Sequence, residues 1–170
     1  MTLDEALRGK EFPREIRETL ALVEVPYISF AGARQQGHLV IHESLAEEVR
    51  EIFASLTEQR FPIAKVVPIS EYDWDDEASM ADNNSSAFNY RNIANSDQLS
   101  KHSFGRALDI NPLFNPYVRQ DGVVAPHGAT YDPGRPGTIT EDIARLFTDR
   151  GWTWGGAWTN RKDWQHFEKP

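Results

Sequence analysis

The chain has 170 residues, 39% of them hydrophobic, which suits a single domain over residues 1–170 burying roughly 70% of its unfolded surface. Eighteen Lys and Arg against 26 Asp and Glu give a formal charge of -8, so neither nucleic acid nor an anionic membrane is an expected partner. With no cysteine there is no disulfide and no thiolate site, and any zinc must rest on His, Asp or Glu. The start "MTLDEALRGKEF" lacks a basic segment followed by an apolar run, and no stretch approaches 18 consecutive apolar residues, so neither an export signal nor membrane insertion is expected.

"PREIRETLALV" reads as a short helix opened by Pro13, followed by a strand in "VPYISF". "HLVIH" alternates as a second strand. Ser44 and Glu47 have capping-box spacing, and Leu45, Val49, Ile52, Phe53 and Leu56 recur at helical intervals, which predicts a helix over 44–58. "IAKVVPI", "SAFNYRN" and "RALDI" read as further strands between polar turns. Residues 115–138 are rich in proline and glycine, as in a functional rim or a mobile flap. Thr138 and Glu141 form a second capping box before a helix through Ile143, Leu146 and Phe147 that Gly151 ends. No repeat, low-complexity tract or linker interrupts the chain.

Two stretches carry chemistry. In "SDQLSKHSFGRALDINP" His102 stands seven residues before Asp109, and in "DWQHFE" Asp163 stands three before His166. Zinc in a hydrolase takes three protein ligands and leaves a fourth position for water, and His102, Asp109 and His166 make such a set. Asp163 is then free to act as the base for that water, and Glu168, alternating with His166, can orient its imidazole. Plainer roles compete: Arg91 can bridge a carboxylate such as Asp82, Asp163 can cap the last strand, and Trp152, Trp154, Trp158 and Trp164 can be core or pocket wall. His38 and His42 have the spacing of a helical zinc pair but lie in a strand-like run. His127 reads as solvated, and "DWDDEA" reads as an exposed helix start, with calcium as its minor alternative.

"SKHSFGRALDI" resembles the S-x-H-x-x-G-x-A-x-D motif of peptidase family M15, the zinc D,D-carboxypeptidases and L-alanyl-D-glutamate endopeptidases, in the VanY-like and phage-endolysin-like branch. "DWQHFE" matches the second motif, "WGGAW" its lead-in and "NNSSAFNYR" an upstream segment, so the resemblance covers about residues 60–168. It implies an α+β fold, a small, mainly antiparallel sheet with helices on one side and zinc in a cleft across the sheet. It also implies His102, Asp109 and His166 as metal ligands, Asp163 as general base, and Arg91 as the group that polarises the scissile carbonyl or binds a substrate carboxylate. Ser100 and Trp164 are assigned to substrate binding and Glu168 to support of the ligand shell. The implied substrate is a peptidoglycan stem peptide, cut by a monomer beside a D-amino acid. The place of action is open: cytoplasmic as given, or the cell wall if a leader was removed or release is by lysis. Aspartate at 163 favours the endopeptidase branch. The alternatives are D-Ala-D-Ala carboxypeptidase activity and a non-catalytic, zinc-stabilised binding module of Hedgehog-like fold.

Overall fold

In a computed structural model that describes residues 1–170, two single-turn helices, α1 (Leu3–Ala6) and α2 (Arg14–Arg17), precede the first strand. The helix expected over "PREIRETLALV" stops early, because Leu20 onward joins strand β1 (Leu20–Ile28). There Val23 and Val25 are buried, and nine residue pairs bind β1 antiparallel to β2 (Arg34–His42), a pairing that outweighs local helix preference.

Helix α3 (Ala46–Glu58) lays Val49, Ile52, Phe53 and Leu56 on the inner face of this hairpin. Each such burial contributes roughly 1.5–3 kcal/mol. Its expected capping box does not form. Residues 43–45 make a 3₁₀ turn instead, in which the Ser44 amide donates to Nδ1 of His42, and the helix begins only at Ala46.

The middle of the chain departs further from expectation. "IAKVVPI" yields only β3 (Lys65–Val66), pressed against Gly37 of β2 so closely that a Cβ there would lie 2.4 Å from Val66. Helix α4 (Asp76–Ala81) is capped by Asp75, as "DWDDEA" suggested, and β4 (Asn84–Ser85) pairs parallel with β3. "SAFNYRN" is not a strand: its amides bond to several elements, Phe88 to the Val40 carbonyl, Asn89 to the His102 carbonyl and Arg91 to the Ser103 hydroxyl.

Strand β5 (Ala107–Asp109) falls where "RALDI" was read. The segment 115–138 contains a small hairpin, β6 (Tyr117–Val118) with β7 (Val124–Ala125). Helix α5 (Glu141–Thr148) starts at Thr140 rather than Thr138, since the Ile139 amide is held by Oδ1 of Asn115 at 2.6 Å and keeps Thr138 in the loop. After a turn at Gly151, whose φ is +85°, come β8 (Thr153–Trp154), β9 (Lys162–Asp163) and β10 (His166–Glu168).

The architecture is α+β, but the strands divide among four small sheets rather than one: β1-β2, the parallel pair β3-β4, and the antiparallel sheets β5-β10-β8 and β7-β6-β9. One hydrophobic cluster runs from Val23 of the hairpin to Phe167 of β10, and it includes Phe147 of α5 stacked on Phe167 at 3.8 Å. No helix is long and apolar enough to cross a membrane.

The proline- and glycine-rich segment is fastened rather than loose. Asn111 donates to the Pro62 and Gly137 carbonyls. Asn115, fully buried, donates to the carbonyls of Ile110, Asn111 and Gly137 and accepts from Ile139. Asn115→Ala strands these buried backbone groups and is expected to cost about 2–4 kcal/mol of unfolding free energy, read from the urea midpoint. A change under about 0.5 kcal/mol would mean that other groups hold the segment.

Candidate active site

Residues Lys101–Phe104 form a 3₁₀ turn whose N-cap is Ser100, its hydroxyl accepting from the His102 amide at 3.3 Å. The turn ends at Gly105 in the left-handed region, φ +63°. A Cβ at Gly105 would stand 2.5 Å from the His42 amide nitrogen, and that amide donates to the Gly105 carbonyl at 2.8 Å. Glycine is thus required twice, by conformation and by contact with the β1-β2 hairpin. Ala107 and Leu108 then carry the chain into the core as β5, and strand alternation turns Asp109 to the site. From the other end of the chain, β10 pairs His166 with Asp109 and Phe167 with Leu108, so one face of β10 is ligand and the other is core.

Three buried side chains converge through four atoms: His102 Nε2 to Asp109 Oδ2 is 3.1 Å, His166 Nδ1 to Asp109 Oδ1 is 3.0 Å, and the two ring nitrogens are 3.3 Å apart. The opposite ring nitrogens are already engaged, Nδ1–H of His102 donating to the Ala87 carbonyl at 2.5 Å and Nε2–H of His166 donating to Glu168 at 2.9 Å. In neutral imidazoles that fixes lone pairs, not protons, on the converging atoms. A single proton can serve only part of this set; a dication serves all three donors at once. Tetrahedral bonds of about 2.0–2.1 Å put ligand atoms about 3.3 Å apart, so the donor set fits zinc in chemistry and in size. His102, Asp109 and His166 can therefore hold a metal.

The electrostatics agree. Burial alone would raise Asp109, but the charges and hydrogen bonds of His102 and His166 outweigh it and hold the carboxyl far below its usual range. Burial opposes a charge on His166, yet its bonds to Asp109 and Glu168 push it up to about 10. That places a proton where the positive charge of a metal would otherwise lie. The bond from His166 lowers Glu168.

Asp163 lies in β9, opposite Tyr117 of β6. Its Oδ1 is buried and has no hydrogen-bond partner. Burial pushes it up to about 7, moderated by the charges of His166, His102 and Arg91 and reinforced by that of Asp109. Arg91 pairs with Asp76 of α4 at 3.2 Å, while Asp82, the partner weighed from the sequence, bonds Lys65 and Tyr72. Trp152 and Trp154 are buried in the core, and Trp158 stands 5.7 Å from the His166 ring, centroid to centroid. Trp164 stacks on Tyr131 at 3.7 Å, which ties the 115–138 segment to the site wall. His38 and His42 stay apart from the site, near Glu24 and Ser44.

Compared with known protein families, residues 94–169 match the family model described as D-alanyl-D-alanine carboxypeptidase, one of the M15 peptidases. The segment that carries the site is similar to the M15 peptidases over those residues. Comparison with curated proteins and with solved structures gives no match. At the level of the family, the activity is that of a zinc peptidase acting on peptidoglycan.

Several supports of the site were not visible in the sequence. The Ala87 carbonyl is a backbone atom with no residue signature, and Asp76 sat in a charge run that reads as solvated. "WGGAW" did carry a signal whose meaning is now physical. A Cβ on Gly155 would lie 2.5 Å from the Asp163 carbonyl oxygen and 2.8 Å from its Cβ, so the glycine lets β9 come close. Gly155→Ala must displace Asp163, and any hydrolytic activity of the site is expected to fall about 10- to 100-fold with metal content unchanged. Activity and metal should be measured on one preparation; undiminished turnover would show that the position of β9 is not critical.

Proposed function

We propose that residues 1–170 form one zinc peptidase domain that hydrolyses peptidoglycan stem peptides beside a D-amino acid, with His102, Asp109 and His166 as the metal ligands and Asp163 as general base. The reading is carried by one observation: two buried imidazoles and a buried carboxylate converge, next to a second carboxylate with an unpartnered oxygen. When bound, zinc supplies Lewis acidity to water and to the scissile carbonyl. Asp163 accepts a proton from the attacking water and returns it to the leaving amine, a double duty suited to a group raised toward neutrality. Arg91, held by Asp76, faces charge that develops on the carbonyl oxygen. Glu168 and the Ala87 carbonyl keep the two imidazoles in the tautomers that ligation needs. Ser100, by capping the 3₁₀ turn, positions His102 in addition to any contact with substrate, and Trp164 forms wall.

Internal cleavage between L-Ala and a D-Glu-type residue is the favoured specificity, on two grounds. The base is aspartate, and two of the arginines available to clamp a chain terminus have other partners, Arg91 with part of its guanidinium still open. Arg106 bonds the Lys169 and Pro170 carbonyls, and Arg91 bonds Asp76. The description of the matched family favours the second reading, release of terminal D-Ala. Products from a defined pentapeptide stem, identified by mass spectrometry, decide between them: free D-Ala with an intact L-Ala to D-Glu bond rejects the internal cut.

The ligand set is tested by metal content. His102→Ala and His166→Ala should each lose most of one zinc per chain, and full occupancy in both variants would dismiss the assignment.

Asp163→Asn should keep zinc and lose at least about 100-fold in turnover. Its effect on stability has a sign. The folded value of Asp163 lies above the ordinary 3.8, so the stability linked to its proton is complete below that value and is lost as pH rises through about 7. In metal-free protein the variant should therefore melt higher than wild type at pH 8 and show little gain at pH 4. Equal melting shifts at both values would detach Asp163 from the buried cluster.

A further inference from the structure

A cavity of about 460 Å³ lies along the β6-β9 edge, lined by Tyr117, Arg119, Gln120, Asp121, Asn160 and Arg161. It is joined to the metal-binding residues by two contacts. Tyr117 stands opposite Asp163 in register, and Trp158, whose ring is 5.7 Å from that of His166, carries the Arg161 guanidinium 4.4 Å above its own ring. Those two steps in series amount to about three residues of extended peptide at about 3.3 Å each. Within the cavity Asp121 neutralises Arg119 at 2.8 Å, whereas Arg161 makes no ion pair or hydrogen bond and is held only by the indole beneath it. The lining thus keeps one uncompensated positive charge, in a cavity that Asn160 and Tyr117 also line. The chain as a whole carries -8 and repels an acidic ligand, so such a ligand needs a local cationic seat. A guanidinium stacked on tryptophan is oriented while its N–H fork stays open to a carboxylate.

Building on the peptidase reading above, we infer that this cavity is a specificity subsite, in which Arg161 binds a carboxylate of the stem peptide within about three residues of the scissile bond. Two sources offer that chemistry, the free carboxylate of a D-Glu-type residue and the carboxylate at the peptide terminus. Amidation of either one tells them apart.

Wild type, Arg161→Gln and Arg161→Lys are compared on three stem peptides: unmodified, amidated at the acidic residue, and amidated at the C-terminus. In wild type one amidation should raise KM about 10-fold with little change in kcat, and the sensitive position names the source. Arg161→Gln should raise KM for the unmodified peptide by a similar factor and lose the discrimination. Arg161→Lys should retain part of it, since charge remains without the bidentate fork. Insensitivity of wild type to both amidations, or full discrimination retained by Arg161→Gln, overturns the inference.

The same three peptides are titrated calorimetrically into zinc-loaded Asp163→Asn, with and without Arg161→Gln, as a readout that needs no turnover. If wild type cleaves no stem peptide yet this titration shows the Arg161-dependent preference, the peptidase reading falls and the subsite stands. If hydrolysis proceeds without the preference, the subsite falls alone.

Discussion

The structure turns on two imidazoles and a carboxylate that face one another in a buried space. Nε2 of His102, Nδ1 of His166 and the Asp109 carboxylate all lie within 3.3 Å of a neighbour in the set, and hydrogen bonds behind the two imidazoles prevent either ring from turning away. Such an arrangement is costly to bury, because the carboxylate loses its hydration and must be compensated by the imidazoles against it. It persists because the surrounding fold overdetermines it. Register in β5-β10 sets Asp109 against His166, the left-handed Gly105 sets the turn of His102, and Phe167, locked between Phe147 and Trp154, keeps β10 from sliding.

Load is shared unevenly along the chain. The N-terminal hairpin and α3 contribute no ligand, yet they supply much of the core and the surface against which the His102 turn is pressed. The segment from Asn84 to Arg91 acts as a strap: Ser86 and Asp109 exchange two backbone bonds, Ala87 fixes a tautomer, and Ser103 donates to the Arg91 carbonyl at 2.7 Å. The asparagines at 111 and 115 fasten the far rim. Each short strand would be marginal alone, and together they form a cage with few degrees of freedom.

How much of this could be read from the sequence follows from how local each signal is. The ligand trio and the Asp163–His166 spacing are side-chain patterns inside short motifs, and the structure brings those side chains together. Helix α3 was legible because its apolar stripe is long. Its cap was not, since Ser44 meets Nδ1 of His42 rather than Glu47. "LALV" was misread because a nine-residue cross-strand pairing is invisible to local propensity. "SAFNYRN" looked like a strand through its aromatic content, although its backbone answers to several elements. The single expected sheet became four for the same reason: two-residue strands are defined by partners distant in sequence, not by their own composition. The Ala87 carbonyl lies beyond any reading of side chains, because every residue has one.

That carbonyl lies outside the segment that matches the family model. The matched segment opens at residue 94, after Ala87, Arg91 and Asp76, and well after the hairpin that braces Gly105. A graft cut at that boundary would carry all three residues that can hold a metal and leave behind the acceptor that orients one of them. Transplanting the catalytic unit therefore calls for the path of the chain from about α4 onward, together with a surrogate for the hairpin floor.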